Sequence, residues 1–312
     1  MNSLRALREP KHACHACGAC CHGMRIRLLG DEEISRIHAL GEALGISDPV
    51  DDGRLRFVDG HCVFLSESQL CRLHQTFGAN AKPVLCRQYP AVLVDTESDT
   101  RIGIDPGCFT LFKTWRDGDP LPTDAPLVPN ASVQDPDQAG MERAILAMAA
   151  RPDATIAGML RFLTHQPPGD TLPEGLGGRW AKRLQSDCLG RLLARPETGD
   201  PVRSALQPVI AAARTWDPQA PPPWPALAPE QEAFAIELMR RMLFLRLLHA
   251  MPSVVAAALL GLLGAVAVGW TDPDPEVFGR AVVAWGRALR APAFWMALVS
   301  SPEQLRSLAL GS

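Results

Sequence analysis

The chain is poor in lysine, in tyrosine and in net charge. Its 312 residues include 27 arginines but only four lysines and a single tyrosine. The 31 basic side chains nearly balance the 34 acidic ones, which leaves a formal net charge of −3. Because electrostatic nucleic-acid binders present a strongly basic surface, this balance excludes nucleic acid as a dominant partner. We attribute the shortage of lysine to a GC-rich coding bias, which the abundance of Ala and Pro also indicates.

Several functional motifs are missing as well. The sequence has no phosphate-binding Gly-Lys loop, no nucleophile elbow and no paired His-Glu-His metalloprotease helix. Residues 1–12 carry charged side chains with no apolar run behind them, and a secretory signal needs such a run. We therefore expect a cytoplasmic protein whose cysteines stay reduced.

One long stretch lacks Asp, Glu, Lys and Arg. It extends from Leu247 to Thr271, and its central part, residues 253–269, is long enough for a membrane helix to be considered. Pro252 shortens the usable helix, and an acidic segment follows directly at residues 272–276 with no basic flank. We predict a helix buried in a protein core, with a membrane helix as the alternative.

Cysteine is concentrated at one end of the chain. Eight of the nine cysteines lie between Cys14 and Cys108, and only Cys188 lies outside. In a reducing compartment such density predicts metal binding, with a disulfide scaffold as the alternative. The predicted metal ligands are Cys14, Cys17, Cys20, Cys21, Cys62, Cys71, Cys86 and Cys108. Cys188 is interpreted as a small buried residue of a helix.

The spacing of the first four cysteines bears on the kind of metal centre. Two cysteines separated by two residues can bind one metal, and Cys14, Cys17 and Cys20 repeat that spacing. Cys21 follows Cys20 directly, and adjacent side chains diverge, which indicates two metals or a cluster with more than one vertex. Eight thiols can form two zinc sites of four cysteines each. Alternatively, four of them can bind one four-iron cluster and leave four for a second site or a structural role. We favour iron–sulfur over zinc because the run resembles the start of a ferredoxin-type motif.

Hydrophobic patterning predicts a mostly α protein. A small, loop-rich α+β cysteine-cluster metal-binding domain is expected at residues 1–117, a proline-rich linker at 118–137 and an all-α helical domain at 138–312. Within the first domain we expect a helix after Asp31, strand-like pieces at 55–58 and 63–65, and a hairpin from 91–94 and 101–104. In the helical domain, three-to-four spacing predicts helices at 140–150, 153–165, 179–194, 230–251 and 276–290, and a last helix capped by Ser301.

The cysteine motifs together resemble the YkgJ-type cysteine-cluster proteins, which carry a zinc- or iron-chelating domain. The matching stretches are Cys14-His-Ala-Cys17-Gly-Ala-Cys20-Cys21, Cys62-Val-Phe-Leu65, Cys71-Arg-Leu-His74, Pro83-Val-Leu-Cys86-Arg-Gln-Tyr-Pro90 and Cys108. The flagellin lysine-N-methylases share this pattern and carry a longer helical C-terminal region. The second resemblance implies an iron–sulfur cluster and methyl transfer from S-adenosylmethionine to lysines of a protein substrate.

The first functional hypothesis is therefore a metal-binding cysteine-cluster protein that holds an iron–sulfur cluster or zinc. The alternatives are an S-adenosylmethionine-dependent flagellin lysine methyltransferase and a zinc-stabilised module whose helical half binds a partner protein. Whether the chain is an enzyme is left open, and membrane association is not expected. Arg87 and Tyr89, which follow Cys86, are candidate cofactor-binding residues. The interpretation we favour is that they support the backbone after Cys86.

Overall fold

The computed structural model describes residues 4–7, 11–120, 127–132, 134–195, 198–217, 226–248, 250–271 and 274–311. Parts of the predicted linker, residues 121–126 and 133, lie outside the described residues. The predicted fold class is confirmed, since a small region with short strands is followed by a region built from helices. The boundaries of the three predicted segments stay a prediction.

The N-terminal region combines short helices with two-residue strands. Its elements are β1 (Leu4–Arg5), β2 (Lys11–His12), a 3-10 turn (Ala19–Cys21), α1 (Gly30–Ala43), β3 (Val50–Asp51), β4 (Arg54–Leu55), β5 (Phe57–Val58), β6 (His61–Cys62), α2 (Arg72–Phe77), a 3-10 turn (Ala79–Ala81), α3 (Val84–Gln88), β7 (Ala91–Asp95), β8 (Thr100–Ile104), α4 (Leu111–Thr114), β9 (Asp119–Pro120) and β10 (Pro129–Ala131). The helix expected after Asp31 is α1, whose first turn carries three acidic residues where they favour the helix dipole. The strand expected over 55–58 is divided into two ribbons, β3–β4 and β5–β6. No strand forms over 63–65, where the chain turns back to bridge Cys71.

The predicted hairpin forms the centre of the one larger sheet. Strands β7 and β8 pair antiparallel from Ala91–Ile104 to Asp95–Thr100, and the strand order is β1-β8-β7-β10. β1 and β10 each add in parallel. Arg101 on β8 lies 2.7 Å from the Glu142 carboxylate, and Arg246 lies 3.4 Å from the same carboxylate. This ion network connects the hairpin to the helix that carries Glu142 and to the turn that contains Arg246.

The C-terminal region consists, in its described residues, of helices joined by loops and turns. Its elements are α5 (Pro136–Ala149), α6 (Ile156–Leu163), α7 (Leu176–Leu184), α8 (Asp187–Leu193), α9 (Asp200–Thr215), α10 (Pro229–Phe244), α11 (Val254–Gly269), α12 (Pro275–Leu289), α13 (Pro292–Leu298) and α14 (Pro302–Leu310). The single helix expected over 179–194 is divided, because Ser186 adopts the extended backbone of an N-cap residue before α8. The capping of α14 is confirmed, since the Ser301 hydroxyl accepts a hydrogen bond from the Gln304 amide.

Helix α11 is the uncharged segment and lies in the middle of the helical core. Trp180 donates its indole N–H to the Leu263 carbonyl at 2.9 Å, and Trp285 donates to the Leu260 carbonyl at 2.9 Å. Gly264 permits this approach, because a Cβ there would fall 2.0 Å from the Trp285 ring. Among the described helices, none is long and apolar enough to cross a membrane. The segment is a buried helix, as predicted.

Candidate metal centre

The first four cysteines lie on a tightly turned loop. Ala16 and Gly18 both adopt positive φ, and the 3-10 turn Ala19–Cys21 follows at once. A Cβ at position 18 would meet the Gln69 carbonyl oxygen at 2.6 Å, so only glycine fits there. The turn is closed by a hydrogen bond of 2.8 Å from the Cys21 amide to the Gly18 carbonyl. The loop thereby turns toward the segment around Gln69, which leads to Cys71.

Six of the eight predicted ligands line one cavity of about 320 Å³: Cys14, Cys20, Cys21, Cys62, Cys71 and Cys86. Four different pieces of chain supply them, namely the N-terminal loop, β6, the start of α2 and α3. Buried apolar side chains, among them Leu55, Phe64 and Leu73, form the rest of the wall. Residues separated by up to 72 positions thus present thiols to a common, largely apolar space.

The other two predicted ligands lie outside this cavity. Cys108 is buried after β8, with its sulfur 3.2 Å from the Thr110 hydroxyl. Burial, with a contribution from the charge of Cys17, raises the pKa of Cys108 to about 11. Cys17 is exposed and lies within electrostatic reach of Cys108. The eight thiols therefore divide into six around the cavity and a separate pair.

The thiols surround the cavity without converging on a point. Within the described ranges, no group of three His, Cys, Asp or Glu side chains could hold a metal ion as it stands. Of the neighbouring histidines, His74 lines the cavity, whereas His22 lies 2.9 Å from the Gln69 side-chain oxygen and packs against the His61 ring. Binding of a metal centre requires the thiols to move closer together, as is common where metal binding and folding are coupled.

Two adjacent cysteines differ most in acidity. A hydrogen bond with Cys21, helped by the positive charges of Lys82 and Arg287, lowers the pKa of the Cys20 thiol to about 6. The same hydrogen bond, with burial, raises the pKa of Cys21. Burial also raises the pKa of Cys62 to about 12, and that of Cys86 as well. At neutral pH Cys20 is thus a thiolate beside thiols that need a metal to lose their protons.

Of the two candidate cofactor-binding residues, only Tyr89 reaches the cavity. Its side chain lines the wall, and its hydroxyl is buried with no hydrogen-bond partner. Burial raises the pKa of Tyr89, and the nearby Asp105 carboxylate adds to the effect. Arg87 is exposed near the end of α3. A cofactor role for either residue stays a prediction.

The structure adds two cations that the motifs did not reveal. Lys82 lines the cavity, and Arg287 on α12 donates a hydrogen bond of 2.9 Å to the Ala19 carbonyl inside the cysteine loop. Lys82 directly precedes the Pro83–Pro90 block, so it is close to Cys86 along the chain. Arg287 is 266 positions beyond Cys21, and no sequence pattern links the two.

The segment that carries the eight N-terminal cysteines is similar to one protein family. Residues 13–108 match the CxxCxxCC family, described as "Putative zinc- or iron-chelating domain". This segment begins just before Cys14 and ends on Cys108, so it contains all eight N-terminal cysteines. The match supports a metal-binding cysteine cluster and covers less than a third of the chain. No curated protein and no solved structure matches the sequence.

Proposed function

We propose that this protein binds an iron–sulfur cluster through the cysteines that line the 320 Å³ cavity. The observation that carries the proposal is the presence of six thiols around one space. A zinc ion and a four-iron cluster each take four cysteine ligands, so the six thiols can supply a complete set for either centre. The donors are almost all sulfur, which suits both zinc and iron–sulfur clusters.

The surroundings of the cavity also favour a cluster. Apolar side chains and the half-buried Tyr89 shield the part of the cavity where Cys62 is buried, and solvent exposure is one of the factors that set the potential of a cluster. Lys82 and Arg287 place positive charge near Cys20, and cations offset the negative charge of thiolate-bound iron. Cys17 and Cys108 lie apart from the six and are available for a second site or for a structural role.

The test is purification without oxygen, followed by measurement of iron, acid-labile sulfide and zinc. The proposal expects iron and sulfide in comparable amounts, and their loss on replacement of Cys20 and Cys21 by Ser. Cys188→Ser is the matched control, because that thiol lies in α8 of the helical region. Stoichiometric zinc without sulfide would contradict the iron–sulfur assignment and favour the zinc-stabilised interaction module.

The lysine methyltransferase hypothesis rests on the resemblance of the motifs alone. Its test is calorimetric titration with S-adenosylmethionine, followed by incubation with flagellin and mass analysis of its lysines. Binding together with methylation would extend the function from metal binding to catalysis. Absence of binding at saturating cofactor would contradict it without affecting the metal proposal.

A further inference from the structure

A second cavity, of about 680 Å³, lies between the cysteine region and the helices. One wall is formed by His22, Gly23 and Met24, directly after the cysteine loop, and Met24 also lines the cavity of the six thiols. We name the second cavity the arginine cleft and define it by Leu192, Arg195, Val202, Arg287, Arg290 and Phe294. The two cavities are therefore neighbours that share a side chain.

The arginine cleft carries positive charge that the described residues do not fully neutralise. Arg290 forms an ion pair with Asp105, whose Oδ2 lies 3.0 Å from Nη1. Arg287 has no such partner among the described carboxylates: Nη1 donates to Ala19, Nη2 lies 2.9 Å from the Met24 sulfur, and Nε is buried without a hydrogen-bond partner. Arg287 acts on the Asp105 carboxylate, which already pairs with Arg290, and on the Cys20 thiol of the neighbouring cavity.

The rest of the arginine cleft combines a positive charge with an apolar surface. Arg195 is exposed at the rim, and no described Asp or Glu lines the cleft. Across from the guanidinium groups, Leu192, Val202 and Phe294 are buried at less than a tenth exposure each and form an apolar wall. A guanidinium group has a planar fork of donors that matches a carboxylate or a phosphate. Sites of a few hundred Å³ with an apolar wall and a few directed polar groups are typical for small ligands.

We propose that the arginine cleft binds a small organic anion, in which a carboxylate or phosphate group is attached to an apolar body. The oxyanion pairs with Arg287 and Arg195, and the apolar body packs against Phe294 and its neighbours. This inference goes beyond metal binding and does not depend on it. A ligand at Arg287 would also act on the cysteine loop, because Arg287 donates a hydrogen bond to the Ala19 carbonyl next to Cys20.

The test is calorimetric titration of the full chain with matched probes. 4-Phenylbutyrate supplies a carboxylate on an apolar body, 2-phenylethyl phosphate supplies a phosphate, and 4-phenylbutan-1-ol supplies the apolar body alone. We expect saturable binding of at least one anion and about tenfold weaker binding of the alcohol, since one charge-assisted contact is worth at least that factor. Which anion binds more tightly separates the two ligand chemistries. Equal affinity for the alcohol, or no binding of any probe at millimolar concentration, would overturn the proposal.

Two variants locate the site. Arg195→Gln removes a rim charge and should weaken binding of the anion about tenfold. Arg191→Gln, an exposed arginine of α8 that does not line the cleft, should leave the affinity unchanged. If the two variants bind equally well, the assignment is overturned. Metal content measured on the same samples keeps this result separate from the metal proposal, because neither arginine lines the cavity of the six thiols.

Discussion

The cysteine region and the helical region are held together by different means. In the helical region, α10, α11 and α12 bury long apolar faces around Trp180 and Trp285, and one large core results. Among the described residues of the cysteine region, the separate buried apolar cluster comprises Leu28, Ile37, Leu55, Cys62, Phe64, Leu73 and Ala81. Partly buried cysteines pack directly against this cluster. The thiols there contribute both to the small core and to the candidate metal centre.

This difference indicates which region would depend on a metal for its stability. The cysteine region has a buried cluster of seven residues and strands of only two residues. Small domains with so little core usually depend on a metal or on disulfides. The helical region buries enough apolar surface to fold around its own core. The end of the cysteine region, from Ile104 to Trp115, belongs to the helical core, so one end of the metal-binding segment is already fixed. Loss of the metal should therefore loosen the cysteine region and leave the helices folded.

The largest effect is expected when two cavity ligands are replaced together. Cys62→Ser with Cys86→Ser should abolish metal binding, and it should make the cysteine region sensitive to protease while a helical fragment survives. A structural metal is worth about 10 kcal/mol or more to a small site, which explains the size of the effect. Limited proteolysis with metal analysis measures it. Cys188→Ser should behave as the unmodified protein, and a protease-resistant double variant would contradict the comparison.

A smaller loss is expected where the two regions are joined by ions. Glu142 is 1% exposed and pairs with Arg101 and Arg246. Glu142→Ala should lower the free energy of unfolding by about 3 kcal/mol, because Arg101 and Arg246 each lose a buried carboxylate partner and keep only Asp99 and Glu97, respectively. Denaturant unfolding measures the change. Asp153→Ala, which removes the partner of Arg151 in a fully exposed pair, is the control and should change stability little.

Two core truncations sharpen the comparison further. Leu263→Ala in α11 and Ile37→Ala in α1 each remove a side chain that is 0% exposed. Each should cost about 2 to 4 kcal/mol, since both leave a cavity. Only Ile37→Ala should also weaken metal binding, because only its cluster contains thiols that line the cavity. Equal loss of metal affinity in both variants would show that the regions are not independent.

The smallest effect concerns the acidity of one thiol. In the metal-free, reduced protein, the rate of Cys20 alkylation by iodoacetamide should reach half its maximum near pH 6, because the pKa of Cys20 is lowered to about 6. Cys20→Ser should remove the fast phase, and Cys62, with a pKa of about 12, should stay unreactive at neutral pH. A midpoint near pH 9 would contradict the assigned hydrogen bond with Cys21.

The same two shifts have opposite consequences for stability. Folding lowers the pKa of Cys20, so its contribution is present above its ordinary value of 9.0 and is lost as the pH falls through 6. Folding raises the pKa of Cys62, so its contribution is present below pH 9 and is lost as the pH rises through 12. With respect to these two thiols, the metal-free cysteine region should therefore be most stable near pH 9 and lose stability both as the pH falls toward 6 and as it rises toward 12.

Local features of the sequence predicted local features of the fold. The acidic start of α1, the hairpin β7–β8 and the Ser301 cap are each determined by neighbouring residues, and each is present. The helix expected over 179–194 is interrupted at Ser186, whose backbone is extended, and the continuous apolar spacing did not predict that break. The strand expected at 63–65 is missing because the chain turns there toward Cys71.

The candidate site could be predicted in composition but not in arrangement. The cysteines were identified by their density, yet which six share a cavity depends on how β6, α2 and α3 pack around the N-terminal loop. The contribution of Arg287 could not be predicted, because it arises from a helix in the other region. The separation of Cys17 and Cys108 from the six likewise follows from packing, since Cys108 belongs to the helical core.

The measurement that tests the central claim most directly is the iron, sulfide and zinc content of the protein purified without oxygen. The account predicts iron and acid-labile sulfide in comparable amounts, held by the cysteine region and lost together in the Cys62→Ser, Cys86→Ser variant. A protein that contains none of the three, and whose cysteine region nevertheless resists protease as well as its helices do, would contradict it.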